Sequence, residues 1–524
     1  MGGDTRRRPP PHPTSSPLLR PRAPLADPRR LENGRSRPRT RSRSQKARRR
    51  GGREPVRDAS LHDSVSEAGR VNVSALLRLV TALGTLACVL VGAGPAAASG
   101  FSVARFSGEH GHPTTDNPTA LYFNPAALRG KRVELFVDGL AGLRRVTYTR
   151  SSQPTDAPDP EGARGANVGR AELSNWLASP SLWLVVPVSE RLVLGAGVFT
   201  PFGGPISWDT RSAFSSSPYP GPVDGVSRFH AIEGLSITSY GSLGGSYALS
   251  RTWRVGLSLS GMYTTVEDVR AWSGGRNGVL GEGRSLLDVS GFAWGLGAGV
   301  FYECECRGLR LGISYQSRPN VAGGMKLGGR LSNDIGGPSS ADVQLHEDLP
   351  DILRAGVAYE PQPDLELRAS VAWERWSAFD QQCVTQGGRA CTINGDGGQP
   401  EGGGVLQNVP RKFRDAVEAR AGASVWPSSS VEFFSGMGVM SQAVPDETLD
   451  ASLPDFFGVT FTLGSRLKLS DALSVGGSLS HIVSPSRTAT SNLQTRALPS
   501  KLPDASGHYS QSMSYANLNV SVRF

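Results

Sequence analysis

The 524-residue chain has no uninterrupted apolar run of ~18 residues or more, so no membrane-spanning helix is expected. It has five cysteines and eight scattered histidines. G-x-S-x-G, H-E-x-x-H and P-loop patterns are absent, which removes the common hydrolase, metalloprotease and nucleotide-binding classes. His110-Gly-His112 offers two ligands in a glycine-rich stretch, and Cys304-Glu-Cys306 has no further ligands nearby; neither makes a metal site. A phospholipase working on a lipid-facing wall would need a Ser/His pair. His481 lies near Ser478 and Ser480, but a strand histidine beside serines is ordinarily inert. No enzymatic activity, metal or cofactor is expected.

Negative charge is scarce only at one end. Residues 1–70 hold 19 Lys and Arg against 7 Asp and Glu, a net of +12 out of the chain's +10. The remaining 454 residues hold 37 against 39, a net of −2. The Arg/Pro/Ser-rich stretch cannot form a packed core. A nucleic-acid-binding arm is one reading of it. The segment that follows favours another. Val71–Arg78, the mostly apolar Leu79–Val91 and Gly92–Ala98, with small residues at the −3 and −1 positions, form a signal peptide in the right order. Residues 1–70 then read as an extension upstream of the true start near Val71, 71–98 as the signal peptide, and Ser99 as the mature N-terminus. No nucleic-acid partner is expected. Cys88 falls inside the signal, in a poor lipobox.

What is abundant is glycine, 64 residues, and period-two alternation. At the C-terminus Ala516, Leu518, Val520, Val522 and Phe524 fall on one face; Tyr515, Asn517, Asn519, Ser521 and Arg523 fall on the other. Such a strand suits a wall with lipid outside and polar contents inside. The terminal aromatic resembles the signal read by outer-membrane barrel assembly machinery, an expected partner through Phe524. Trp253–Gly261, Leu365–Glu374 and Phe457–Gly464 alternate likewise, in runs of about eleven residues that would cross a ~25 Å apolar band when tilted by ~40°. Tight turns at 187–191, 249–253, 303–308, 360–365, 427–430 and 469–472 alternate with long loops at about 142–178, 201–233, 266–286, 329–345, 379–411, 441–455 and 484–510. That pattern predicts an all-β, 14-stranded antiparallel transmembrane barrel over 131–524, with the long loops outside the cell. A soluble sandwich or propeller would explain the alternation but neither the one-sided long loops nor the terminal Phe. Trp183, Trp253, Tyr302, Tyr315, Trp373, Trp376 and Trp426 are expected to form interfacial girdles. Cys383 and Cys391 flank a short polar loop and are expected to pair in an oxidising compartment.

Residues 99–130 show no strand pattern, and a lumen this wide needs filling. A hatch over 99–130 that plugs it is expected. Here the chain resembles the FadL/TodX family of outer-membrane transporters for long-chain fatty acids and other hydrophobic compounds. Ser99-Gly100-Phe101 is similar to that family's mature start, and Asn124-Pro125-Ala126 to its hatch motif. Leu194–Gly203, Arg310–Ser317, Leu349-Pro350 with Gly356–Tyr359, Val371–Phe379 and Leu453–Asp455 follow in order. Glu109-His110-Gly111-His112 and the cysteine-bearing loop depart from the family pattern. The resemblance implies passive uptake of a long-chain fatty acid or other hydrophobic molecule by a monomer in the bacterial outer membrane. Ligand would pass from the outer loops to a lumen pocket and leave sideways into membrane lipid. Phe101 and Phe106 are expected to line the pocket. The lateral opening is expected at Gly195, Gly197, Pro201, Phe202 and Gly203, where Gly and Pro weaken ladders. The competing class is a general diffusion porin, or a surface-adhesion barrel without hydrophobic transport.

Overall fold

The computed structural model describes residues 106–524 apart from 155–156, 161, 216–220, 274–281, 305–307, 335–338, 490–492 and 500. These belong to the second of two compact units, Asn72–Phe524. The expected extension at 1–70, the expected signal peptide at 71–98, Phe101 and Cys306 lie outside the described residues.

In chain order the strands are β1 (Glu134–Arg150), β2 (Gly169–Pro187), β3 (Leu192–Ser207), β4 (Glu233–Ala248), β5 (Trp253–Ser273), β6 (Glu282–Cys304), β7 (Leu309–Gln316), β8 (Met325–Asn333), β9 (Ser339–Glu347) and β10 (Ile352–Gln362). There follow β11 (Leu365–Glu374), β12 (Gln381–Gln386), β13 (Val405–Pro410), β14 (Ala416–Ser428), β15 (Val431–Met440), β16 (Gly458–Lys468), β17 (Leu473–Val483), β18 (Arg487–Ala489) and β19 (Gly507–Arg523). Fourteen of them close one antiparallel ring: β1 to β7, then β10, β11, β14 to β17, and β19. The ring shuts between β1 and β19, in register from Glu134↔Arg523 to Thr149↔His508. Closure pairs every strand of the ring with two neighbours, as a wall in lipid requires, although the β2–β3 ladder is short.

The side-chain pattern is that of a soluble protein turned inside out. Leu257, Phe292 and Leu463 are 71%, 79% and 68% exposed, whereas Asp138, Arg144 and Asn517 point inward and are buried. A sandwich or propeller would put those large apolar side chains in its core. No described helix is long and apolar enough to cross a membrane.

The strands are longer than the alternation suggested; β5 has 21 residues and β6 has 23. Their upper parts carry polar residues on both faces, so the hydrophobic signal ends before the ladder does. Three expected loops also contain strands, β18 being a short one within 484–510. β8 and β9 form a hairpin, with β8 on the upper part of β6 and β9 against β12. β12 pairs with β13, which raises a sheet above that side of the ring. The expected aromatic girdle needs a correction as well. Trp253 and Tyr302 are neighbours at the outer wall, ring centroids 4.9 Å apart. Trp183 and Trp376 instead point inward and are buried, because Trp183 is in phase with the lumen-facing side chains of β2 and Trp376 sits in a turn between strands.

Candidate ligand cavity and wall opening

The segment from Phe106 runs inside the ring. The Ser107 N–H donates to Asp138 of β1 (2.9 Å), His110 meets Glu432 of β15 (2.8 Å), and Asn124 donates to the Val300 carbonyl of β6 (3.1 Å). Partners on opposite sides of a ring can be reached together only from its lumen. A single helical turn, α1 (Ala120–Phe123), leads into the 3-10 turn Pro125–Ala127. Asn124 organises this corner: Oδ1 accepts from the Ala126 N–H (3.1 Å), and Nδ2 donates also to the Pro113 carbonyl (3.0 Å). Pro125 opens the turn where a missing N–H costs nothing. The wall makes room with glycines. A Cβ on Gly256 would strike Ala126, one on Gly299 would strike Asn124, and one on Gly312 would strike the Pro113 carbonyl.

Between β2 and β3 the ladder is interrupted. The ladder runs only from Pro187↔Val193 to Leu182↔Val198. Beyond it β2 stays paired to β1 and β3 to β4, but not to each other, until an isolated bridge at Leu173↔Trp208. Pro180, Pro201 and Pro205 lie in the unpaired stretches and supply no N–H. A bulge between Phe199 and Phe202 and Gly203 at φ +113 turn β3 away. Pro201, Phe202 and Gly203 thus lie in the break. Gly195 and Gly197 do not: they sit in the closed ladder opposite Val185 and Trp183.

Residues of β3 beyond the ladder line a cavity of about 1250 Å³, counting its mouth. Phe202, Gly203, Gly204 and Ile206, all in the unpaired part of β3, form one side. Leu235, Val266, Leu287, Leu345, Leu349, Val384, Val409 and Val444 extend the apolar lining. Trp376, Phe379 and Phe413 form an aromatic group with Phe202 edge-on to Trp376, ring centroids 5.0 to 6.4 Å apart. Phe106 does not line this cavity. It is buried lower down among Tyr122, Phe123, Trp183 and Phe199.

Cations gather at the outer end of the cavity. Arg411 donates to Gln382 (2.8 Å) and Asp450 (3.3 Å), Arg270 donates to Gln407 (2.5 Å), and Lys501 Nζ lies 3.8 Å from Asp450. Asp450 is buried, and Arg411 and Lys501 beside it hold its carboxyl well below the usual range despite that burial. Burial and the neighbouring Arg270 push the Lys501 ammonium down to about 7, with Asp450 opposing. These groups come from β5, the end of β13 and the loops before β16 and β19. No spacing in the sequence joins them, so only the fold reveals the cluster.

Cys383 and Cys391 form a disulfide with Cα atoms 6.2 Å apart, and Cys304 is disulfide-bonded too. His481 bonds Ser514 (2.9 Å) on the outer face, whereas Ser478 and Ser480 point into the lumen and cannot serve it. Among the described residues no group of three or more His, Cys, Asp or Glu could hold a metal.

Residues 89–524 match the family described as outer membrane protein transport protein (OMPP1/FadL/TodX). No curated protein sequence matches the chain. Among solved structures, a Pseudomonas aeruginosa FadL homologue is similar at 15% identity and TM-score 0.64, covering 83% of this chain and 100% of the other. The Ralstonia pickettii toluene transporter TbuX is similar at 17% and TM-score 0.55, covering 83% and 100%. The Pseudomonas putida toluene transporter TodX gives 17% and TM-score 0.56, covering 82% and 99%.

Proposed function

This chain belongs to the OMPP1/FadL/TodX family of outer-membrane transporters of hydrophobic compounds, and from that membership we propose that it passively imports long-chain fatty acids. In this reading the acyl chain lies along the apolar wall from Phe202 to Leu349, where burial contributes about 25 cal/mol per Å². The carboxylate meets Lys501, a cavity cation whose ammonium is disfavoured by burial and would be favoured by an anion. The segment from Phe106 to Leu128 acts as the hatch, closing the way straight down. Ligand therefore leaves through the break between β2 and β3 into outer-membrane lipid.

The observation that carries this reading is that the unpaired residues of β3 are also cavity wall. A porin needs an open polar eyelet, and an adhesin needs no lumen cavity at all. A second reading, a monoaromatic hydrocarbon, is favoured by the rings of Phe202, Trp376, Phe379 and Phe413.

The test is uptake by vesicles carrying the purified protein, with labelled oleate, toluene and sucrose compared. Saturable oleate uptake exceeding that of the other two supports the proposal. Toluene preference moves the function to the second reading, and sucrose permeation to a porin.

A further inference from the structure

The Glu109-His110-Gly111-His112 stretch, which departs from the family pattern and takes no part in the cavity, has a specific seat in the wall. Glu109 is buried, and its carboxylate lies against Gly422 of β14 and Gly436 of β15. Those two glycines are direct cross-strand partners, and Gly422 pairs on its other side with Arg368 of β11. A Cβ on either glycine would occupy the space of the Glu109 carboxylate. The pair therefore makes a dimple in the inner wall, deep enough for one carboxylate.

Two arginines face the dimple, each also paired to a wall carboxylate, Glu366 for Arg368 and Glu418 for Arg420. Arg420 Nη2 reaches Glu109 Oε2 at 3.2 Å, and Arg368 Nε lies 3.9 Å from Oε1. Arg420 Nη1 also donates to the Gly111 carbonyl (2.9 Å), so one guanidinium grips side chain and backbone of the same turn. A charged acceptor in so enclosed a place forms charge-assisted bonds, stronger than neutral ones.

Beside it His110 makes a second contact. Its Nε2 meets Glu432 at 2.8 Å, and its ring stands edge-on to Phe434, centroids 4.5 Å apart. Glu432 is held in turn by the Ser424 hydroxyl (2.6 Å) and faces Arg466 at 3.6 Å. Burial and Arg466 keep the imidazole below its usual range, with Glu432 opposing. Glu109 and His110 are adjacent in the chain, and their seats lie on the neighbouring strands β11, β14, β15 and β16.

We infer that Glu109 and His110 form a two-point anchor: the Glu109 carboxylate sits in the Gly422–Gly436 dimple, His110 clips to Glu432, and together they hold the N-terminal segment in its lumen-closing position. Both are positioning residues, acting on the path through the barrel by holding the segment. The inference rests on the reading that this segment closes the lumen.

The test uses the full-length protein in planar bilayers, reading time-averaged ion conductance, with heat-modifiable gel mobility reporting barrel folding. Deleting 99–118 checks closure by itself and should open an ion leak. Glu109→Ala substitutes no wall residue and should raise conductance roughly tenfold, the equilibrium shift expected on losing about one charge-assisted hydrogen bond. Gly436→Ala should leak similarly by filling the dimple. Combining it with Glu109→Asp, a shorter carboxylate, should restore closure, a rescue that general damage to the wall would not permit. A leak from the deletion alone, with Glu109→Ala silent, overturns the anchor while leaving closure intact. A silent deletion overturns closure and the anchor with it. A leaking Gly436→Ala that Glu109→Asp does not rescue removes the dimple from the account.

Discussion

Trp183 of β2 and Phe199 of β3 stack with ring centroids 4.3 Å apart and planes 15° from parallel, where the ladder between their strands ends. Gly197 permits this, since a Cβ there would strike the Trp183 ring. Phe106 stands edge-on to both rings, 5.5 and 5.1 Å away. The lumen segment and the margin of the wall opening thus share one aromatic cluster. Phe106→Ala should remove that link, at a local cost of about 3–5 kcal/mol for an emptied aromatic site. The wall ladder should survive it. The expected outcome is an unchanged barrel melting temperature with raised ion conductance and weaker saturable uptake. A lower melting temperature with unaltered transport would contradict the coupling.

Asn124 should matter more than Pro125. Asn124→Ala leaves the Ala126 N–H and the Pro113 and Val300 carbonyls without their partner, each buried group costing about 1–3 kcal/mol when left unmade. Pro125→Ala keeps all three bonds and only restores backbone freedom, worth less than about 1 kcal/mol. Protease cleavage between 106 and 130 in detergent-solubilised protein should therefore rise far more for Asn124→Ala. Equal protection in both variants would mean the corner does not hold the segment.

Lys501 predicts a pH dependence. Burial and Arg270 place its ammonium at about 7 in the empty cavity, and an anionic ligand favours the charged form. Carboxylate affinity should then rise as pH falls from 8 to 6, and be lost progressively as pH rises through 7. The change should approach about tenfold, the effect of about one pKa unit of coupling. Lys501→Met should weaken binding at pH 6 and flatten the profile, as calorimetric titration with oleate would reveal. An unchanged slope in Lys501→Met would assign the head group elsewhere.

The Cys383–Cys391 disulfide closes a short loop at β12, above the wall. Its removal by Cys383→Ser with Cys391→Ser should cost the outer sheet no more than about 2–3 kcal/mol. Barrel assembly should proceed at the wild-type level, since no wall ladder passes through this loop. Failure of the double variant to reach the outer membrane would show that the loop contributes to folding of the wall.

The wall was legible in the sequence because its physics is local. Side chains such as Leu257 and Leu518 alternate with polar neighbours, and each tight turn carries its own punctuation. The resemblance at Asn124–Ala126 likewise falls on the corner that the structure builds around Asn124. What escaped was non-local. The upper parts of β5 and β6 carry no apolar alternation, so their ladders extend past the signal. Trp183 reads as a girdle residue until its phase along β2 is known. Gly195 and Gly197 read as weak points, yet each serves close packing, against Leu128 and Trp183 respectively. The Arg270, Arg411, Lys501 and Asp450 cluster is assembled from strands and loops far apart in the chain, as is the Gly422–Gly436 dimple.

Lateral exit of ligand requires the break between β2 and β3 to persist. Pro180 and Pro201 help keep it open by withholding N–H donors, so Pro180→Val with Pro201→Val should let the ladder grow upward from Leu182↔Val198. The decisive measurement is oleate uptake by vesicles containing this double variant, with oleate binding followed in parallel. Binding should be retained while uptake falls at least tenfold. Wild-type uptake through the variant, with hydrogen exchange showing the new ladder formed, would contradict lateral exit.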